Sequence, residues 1–557
     1  MNGGMMRIDN MGKRKLILDP VDRVEDVKVE DNFIDDVFPM KEYRHGQKEA
    51  IKKILDSFSS GKKFVLLNAP TGSGKSVIGY TVSKILGSSF YLTSTKILQS
   101  QLVGDFDDIV DLKGRNAYKC NYWTSYLNDP SCCNTIDAIT HSQSYKNCAN
   151  GHCKSIGSAK CKYEGNCEYW NRLNEAIQAT VCAMNYKSFL FQMMVGNRFV
   201  DRSLLIADEG HNIENELMDF VSVTFTDKML RAANIKIEDL GSVQAYQERF
   251  RTNDISSILS ELKALALSQS SIKEYEEIER LEIKLNMFMI EDPTWWVYEL
   301  KNHKNGNTTL EFKPIYVRQH VNRLVFSKAS SILIMSATLI DFNMIMDMYG
   351  IDRNDCVTIT MPNSFPKENR PIYKKYAGSM NFKDKFGTMP ELIKKVNDIC
   401  RHYRDFRGII HTHNFEIMKK LEECCSQEVS QRFLLQTNFQ NKEAMLEEHA
   451  QTKNGIIVAP AMHEGLDLRD DLSRFQIICK IPYPNFMDNK QLKMRTELNH
   501  NYLGYLCALK IIQSYGRSIR SEDDWADTYV IDSEFDRFVQ RNRAMLPKWF
   551  VEAITTR

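Results

Sequence analysis

Residues 68–76 read "NAPTGSGKS" and follow the apolar run "FVLL" at 64–67. Residues 65–67 are predicted as a short buried strand, and "SVIGYTVSKIL" (76–86) has the apolar spacing of a helix. Strand, glycine-containing loop and helix is the setting in which backbone N–H groups can curl around phosphate. Gly72 and Gly74 permit that curl, and the helix N-terminus adds partial positive charge. Thr71 and Ser73 complete the loop; Lys75 is expected to reach the outer phosphates and Ser76 to ligate Mg²⁺. Ala69 stands where the strict pattern has glycine. The loop alone says nucleotide, and nothing about the work done with it.

A second element gives the loop a task. "SLLIADEGH" (203–211) is another apolar strand, with Asp208 and Glu209 at its end. A carboxylate at 208 can hold Mg²⁺ opposite Ser76, and Glu209 can polarise the attacking water. His211 is a candidate for coupling, its alternative being a packing histidine. Three more apolar strands end in small or polar residues. "SILIMSATL" (331–339) presents Ser336 and Thr338, "RGIIHTHNF" (407–415) presents His411 and Thr412, and "NGIIVAPAMHEGLDL" (454–468) presents Glu464, Gly465 and Asp467. Strands alternating with helical stretches indicate parallel α/β sheets, whose functional residues gather at the carboxyl ends of the strands.

"QSYGRSIRSEDD" (513–524) places Gln513, Arg517 and Arg520 at spacings of four and three, one face of a single helix. The bland reading is a solvated basic face. The functional one is a pair of arginine fingers entering a nucleotide site from a second α/β domain, where they neutralise charge on the γ-phosphate.

Composition sets the bounds. The chain has 557 residues, 43% hydrophobic and 26% charged, with net charge +1. That length suits three or four domains, and the charge announces no global attraction to nucleic acid. No apolar run is long enough to span a bilayer, and "MNGGMMRIDNMGKRKLILDP" (1–20) lacks the apolar core of a secretory signal. An intracellular, reducing location is expected (the nucleus in a eukaryote), with no membrane partner. Structural disulfides are then rare. Seven of the 14 cysteines fall between Cys120 and Cys167, so a metal or cluster site is expected there. Cys182, Cys479 and Cys507 lie in apolar stretches and are expected in the core.

Taken in order, "APTGSGKS", "DEGH", "SATL", "HEGLDL" and "QSYGRSIR" resemble the motifs of helicase superfamily 2. "LKGRNAYKC" (112–120) resembles the signature that precedes the iron–sulfur domain of the XPD/DinG group. "EGLDLRDDLSRFQIICKIPYPN" (464–485) resembles that group's motif V and the strand after it. In "YRHGQ" (43–47), Arg44 and Gln47 match the pair that meets adenine. Gly210 departs from the usual alanine, with little consequence expected because both are small. The resemblance covers residues 40–540 or so and implies two RecA-like parallel-sheet motor domains, the first interrupted by a cysteine-rich and a helical Arch-like insertion. It implies an N-terminal extension at 1–38 and a first motor domain at 39–111, 181–221 and 313–369. The insertions would occupy 112–180 and 222–312, and the second motor domain 370–557. Within 222–312, Ile255, Ile258, Leu259 and Leu262 mark one amphipathic helix and Ile278, Leu281, Leu285 and Phe288 another.

The site implied by the resemblance divides into roles. Glu209, Gln513, Arg517 and Arg520 serve catalysis. Arg44, Gln47, Thr71, Gly72, Ser73, Gly74, Lys75, Ser76 and Asp467 bind ATP, Ser76 and Asp208 hold Mg²⁺, and His211, Ser336 and Thr338 couple hydrolysis to motion. A [4Fe–4S] cluster would take Cys120, Cys153, Cys161 and Cys167, with Cys148 next in line for the place of Cys153. Zinc is the rival, since "CANGHC" (148–153) adds His152. "NYWTSY" (121–126) interleaves aromatics beside the cluster and is either a strand-separating wedge or a small domain's core. The implied activity is ATP-driven 5′ to 3′ movement on single-stranded DNA and unwinding of forks, by a monomer. The competing class is a nucleotide-switched clamp that binds a strand without unwinding it; the presence of Glu209 and both arginines favours turnover.

Overall fold

The structure, a computed structural model, describes residues 5–8, 14–17, 31–121, 147–150, 164–195, 198–232, 238–268, 272–303, 306–363, 365–462, 468–484, 489–519 and 523–555. Two all-parallel sheets organise it. The first has seven strands, in the order Cys356–Thr360, Phe64–Asn68, Ala329–Ser336, Arg202–Asp208, Ser89–Thr93, Val181–Asn185 and Ile109–Asp111. The second has six, in the order Ile372–Gly378, Asp527–Asp532, Phe475–Ile478, Gly408–His411, Ile456–Ala459 and Phe433–Leu435.

The unbroken apolar runs are explained by burial on both faces. Successive residues of one strand enter different cores. Leu66, Leu205 and Ile332 face a core shared with Phe189 and Tyr349, whereas Val65, Leu67, Leu204 and Leu333 face one shared with Ile54 and Ile78. Cys182, Cys479 and Cys507 are fully buried, as expected. Register aligns the strand ends: Asn68 pairs with Ser336, and Asp208 with Met335. The phosphate loop, the "DEGH" box and the "SATL" segment therefore leave the same edge side by side.

Between Val221 and Ile315 the chain builds a separate core. The expected helices form at Ile255–Ser268 and Ile272–Ile290. Leu259, Ile278, Leu281, Leu285 and Phe288 are buried there, with Ile258 and Leu262 packed alongside. This region is not helical alone. Val223–Thr226, Trp296–Asn302 and Thr308–Pro314 form a three-stranded antiparallel sheet over the same core. Among the described residues, no helix is long and apolar enough to cross a membrane.

Candidate functional site: a nucleotide cleft between two sheets

The phosphate loop is shaped by backbone that only glycine adopts freely. Gly72 and Gly74 both have φ of 79°. A Cβ at Gly74 would lie 2.2 Å from Gln47 Nε2, so the loop and the 43–47 segment fit only without a side chain there. Gln47 Nε2 donates to the Gly74 carbonyl at 3.4 Å, Gln47 Oε1 accepts from the Arg44 amide at 2.6 Å, and the Arg44 guanidinium donates to the Gly72 carbonyl. The two residues matched to adenine recognition thus also brace the loop. Thr71 and Ser73 lie in its turn, and the Lys75–Leu86 helix begins with Lys75 and Ser76. Lys75 Nζ reaches back to the Ala69 carbonyl at 3.5 Å.

Asp208 and Glu209 end the Arg202–Asp208 strand beside this loop. Burial, then the adjacent Glu209, pushes the Asp208 carboxyl above its usual range, opposed by Lys75. Burial also opposes ionisation of Glu209. Lys75, His211 and Arg517, with a hydrogen bond from Ser336, outweigh it and hold that carboxyl below its usual range. Glu209 has φ of 49°, an uncommon conformation for a side-chain-bearing residue, and this aims it away from the strand direction.

One hydrogen-bond chain joins the two halves of the molecule. Gln513 Nε2 lies 2.8 Å from His211 Nε2. His211 Nδ1 lies 2.8 Å from Ser336 Oγ and 3.1 Å from Thr338 Oγ1. Ser336 Oγ then donates to Glu209 Oε2 at 3.0 Å. His211, Ser336, Thr338 and Gln513 are all buried. His211 from the first half and Gln513 from the second are therefore in contact.

Two expectations change. Gln513 and Arg517 do not share one helix, because the Tyr502–Tyr515 helix stops at Gly516. Arg517 still folds back, its Nε donating to the Gln513 carbonyl at 2.9 Å, and its charge reaches Glu209. Arg520, Glu464, Gly465 and Asp467 lie outside the described residues. Gly210 is also more constrained than its size suggested. A Cβ there would sit 2.3 Å from Ile334 Cγ2, inside a fully buried side chain.

In the cysteine-rich stretch, Cys120, Cys148 and Cys167 come together from three segments. Cys148 Sγ is 3.9 Å from Cys167 Sγ, and contact with the Cys120 thiol, then burial, pushes the Cys148 thiol far above its usual range. Cys148, second choice on sequence, is thus the described partner of Cys120 and Cys167. Cys153, Cys161, His152 and the aromatics from Tyr122 onward lie outside the described residues. Among the described residues, no set of three His, Cys, Asp or Glu side chains has metal-holding geometry. Arg115 of the "KGR" stretch stacks its guanidinium over Tyr169 at 4.8 Å and Trp170 at 5.4 Å, tying it to the "EYW" that follows Cys167. Sequence reasoning missed Glu214, Arg495 and Tyr502, which meet at the domain interface; no local pattern marks them.

Comparison with known proteins agrees with this geometry. Residues 40–234 match the family model described as type III restriction enzyme, res subunit, and residues 398–553 match the helicase C-terminal domain. The ATP-dependent DNA helicase CHL1 of Candida albicans is 30% identical over 116 residues, 18% of this chain and 14% of that protein. CHL1 of Scheffersomyces stipitis is 27% identical over 231 residues, 36% of this chain and 26% of that protein. The chain thus spans about a quarter or less of the length of these relatives in the matched regions. A solved structure named "XPD_Helicase" superposes with a TM-score of 0.62 at 15% identity, covering 91% of this chain and 99% of that one. Its motif series and its two family matches make the chain similar to superfamily 2 helicases, and its pair of parallel sheets shares the fold of that solved XPD structure.

Proposed function

We propose that the chain is an ATP-driven motor that moves 5′ to 3′ on single-stranded DNA and unwinds forks, hydrolysing ATP between its two sheets. The observation that carries this reading is the Gln513–His211–Ser336–Glu209 chain. It joins Glu209, which would polarise the attacking water, to the helix that carries Gln513. Lys75 would neutralise the outer phosphates, and Arg517 would approach the γ-phosphate from the second sheet. Hydrolysis would then depend on closure of the cleft, and release would let it open. The buried carboxyl of Asp208, pushed up by desolvation, fits a cation-binding role. Ser76 and Asp208 would hold Mg²⁺, which supplies positive charge at the phosphate oxygens.

Cys120, Cys148 and Cys167 form a donor set of the right chemistry for a [4Fe–4S] cluster, with Cys153 or Cys161 available as the fourth thiolate. Such a group, when bound, would staple a stretch whose sequence has weak apolar periodicity. Zinc is the alternative, since thiolates suit it as well. Iron and zinc analysis of anaerobically purified protein separates the two.

The direction of movement and the DNA substrate rest on family likeness. Forks with a single 5′ or a single 3′ tail test them. Strand separation that needs ATP and a 5′ tail is expected; a requirement for the 3′ tail, or none on either fork, overturns the proposal.

A further inference from the structure

We infer that Glu214 and Arg495 are positioning residues for ATP turnover: a buried interdomain ion pair that sets Gln513 against His211. The inference rests on the proposed interdomain ATP site and adds to it residues that no motif contains.

Glu214 lies in the first turn of the Ile213–Val221 helix, which grows directly from the Gly210–Asn212 turn of the "DEGH" box. Arg495 lies on the Lys490–Leu498 helix, next to the helix that carries Gln513. Arg495 Nη2 and Glu214 Oε1 are 2.8 Å apart, with side chains only 5% and 6% exposed. Four further contacts fix the guanidinium. Its Nε donates to the Ile315 carbonyl, its Nη1 donates to the Tyr502 hydroxyl, and its Cζ lies 5.2 Å from the centre of the Tyr316 ring and 5.3 Å from that of the Tyr502 ring. Tyr502 OH in turn donates to Glu214 Oε2 at 3.5 Å.

A second observation gives this pair its leverage. The Tyr502–Tyr515 helix belongs to both cores. Tyr502 and Tyr505 are buried with the first sheet, whereas Cys507, Ala508, Ile511, Ile512 and Tyr515 are buried with the second. One helix therefore starts at Tyr502, in contact with the Glu214–Arg495 pair, and carries Gln513 near its other end. A buried ion pair adds little net stability, because desolvation cancels much of the Coulomb attraction. Its strength is in geometry: the planar guanidinium donates to a carbonyl and a hydroxyl while its Nη2 lies 2.8 Å from the Glu214 carboxylate. Glu214 and His211 sit on consecutive turns of the same segment, so the orientation that satisfies Arg495 also fixes the box facing Gln513.

The test is steady-state ATP hydrolysis with single-stranded DNA, using Arg495→Met, Arg495→Lys and Glu214→Gln in wild-type and Gln513→Ala backgrounds. Arg495→Met is expected to lower kcat about tenfold to a hundredfold, the effect of misplacing a catalytic group by about 1 Å. ATP KM should stay within about twofold, since the phosphate loop is untouched. In the Gln513→Ala background the same substitution should change kcat by no more than about twofold, because both act through one contact. Arg495→Lys, which keeps the charge, should recover part of the rate. An equal fall in kcat in both backgrounds, or an effect on KM alone, overturns the inference and leaves a merely structural pair. If Arg495→Met fails to fold, Glu214→Gln carries the same cycle, since it keeps shape and removes only charge. Wild-type protein that hydrolyses no ATP refutes the underlying motor reading; an active wild type with an equally active Arg495→Met refutes only this inference.

Discussion

Alanine at position 210 is the ordinary residue of the group's box, yet here it should be harmful. The added Cβ would lie 2.3 Å from Ile334 Cγ2, against the 3.4–4 Å of ordinary contact. Ile334 is fully buried on the Ala329–Ser336 strand, and its β-branched side chain has little rotamer freedom. Strand or box must therefore move by about 1 Å, and overpacking of this kind costs about 1–3 kcal/mol. For a domain of this size that is a fall in Tm of roughly 2–10 °C. The shift should also reach the chemistry, since Glu209 precedes Gly210 and bonds to Ser336 at the end of Ile334's own strand. Thermal unfolding and ATP turnover of Gly210→Ala measure both effects. Ile334→Ala removes the clashing methyl, so in that background Gly210→Ala should cost nothing further. A Gly210→Ala protein with unchanged Tm and turnover, or equal losses in both backgrounds, would refute the steric reasoning.

Other expectations follow from the same geometry. Lys75→Ala should abolish hydrolysis and weaken ATP binding, whereas Glu209→Gln should abolish hydrolysis and leave binding largely intact; equilibrium binding of a fluorescent ATP analogue separates the two. Arg517→Ala should cripple DNA-stimulated hydrolysis without loss of fold or DNA affinity, as should Arg520→Ala, and parent-like rates in both would discard the finger assignment. His320 is buried, and burial, then the nearby Arg323, lowers its pKa to about 4. The unfolded chain therefore binds this proton first, and stability is lost as pH falls from about 6.5 to about 4, by on the order of 3 kcal/mol. Comparing denaturant midpoints of wild type and His320→Gln across that range should show a shallower acid loss in the variant; parallel curves would assign the loss elsewhere.

Much of the fold is legible because the apolar runs before "APTGSGKS", "EGH" and "ATL" can only be doubly buried strands, and a parallel sheet then brings their ends together. The register that puts Asn68 beside Ser336 converts three separated motifs into one site. Other features were visible but outweighed. Gly516 is a helix stop inside "QSYGRSIR", yet the spacing of charges suggested a continuous helix. The Asn305-Gly306 pair is a turn signal that the helical reading of 222–312 passed over, and the antiparallel sheet there was not expected. The choice among clustered cysteines could not be made from spacing, because three chain segments converge and only folding decides which thiols meet. Glu214 and Arg495 carried no signal at all. An isolated Glu on one helix and an isolated Arg on another are ordinary surface residues until tertiary structure buries them together.

The central claim is that hydrolysis at Glu209 is transmitted to the second sheet through His211 and Gln513. The measurement that tests it most directly is ATP consumed per base pair separated, for wild type, His211→Ala, Gln513→Ala and the double variant on a 5′-tailed fork. The contact predicts that each single substitution raises ATP consumption per base pair several-fold and that the double variant is no worse than the poorer single, because all three remove one shared hydrogen bond. Wild-type economy in both single variants, or losses that multiply in the double, would contradict it.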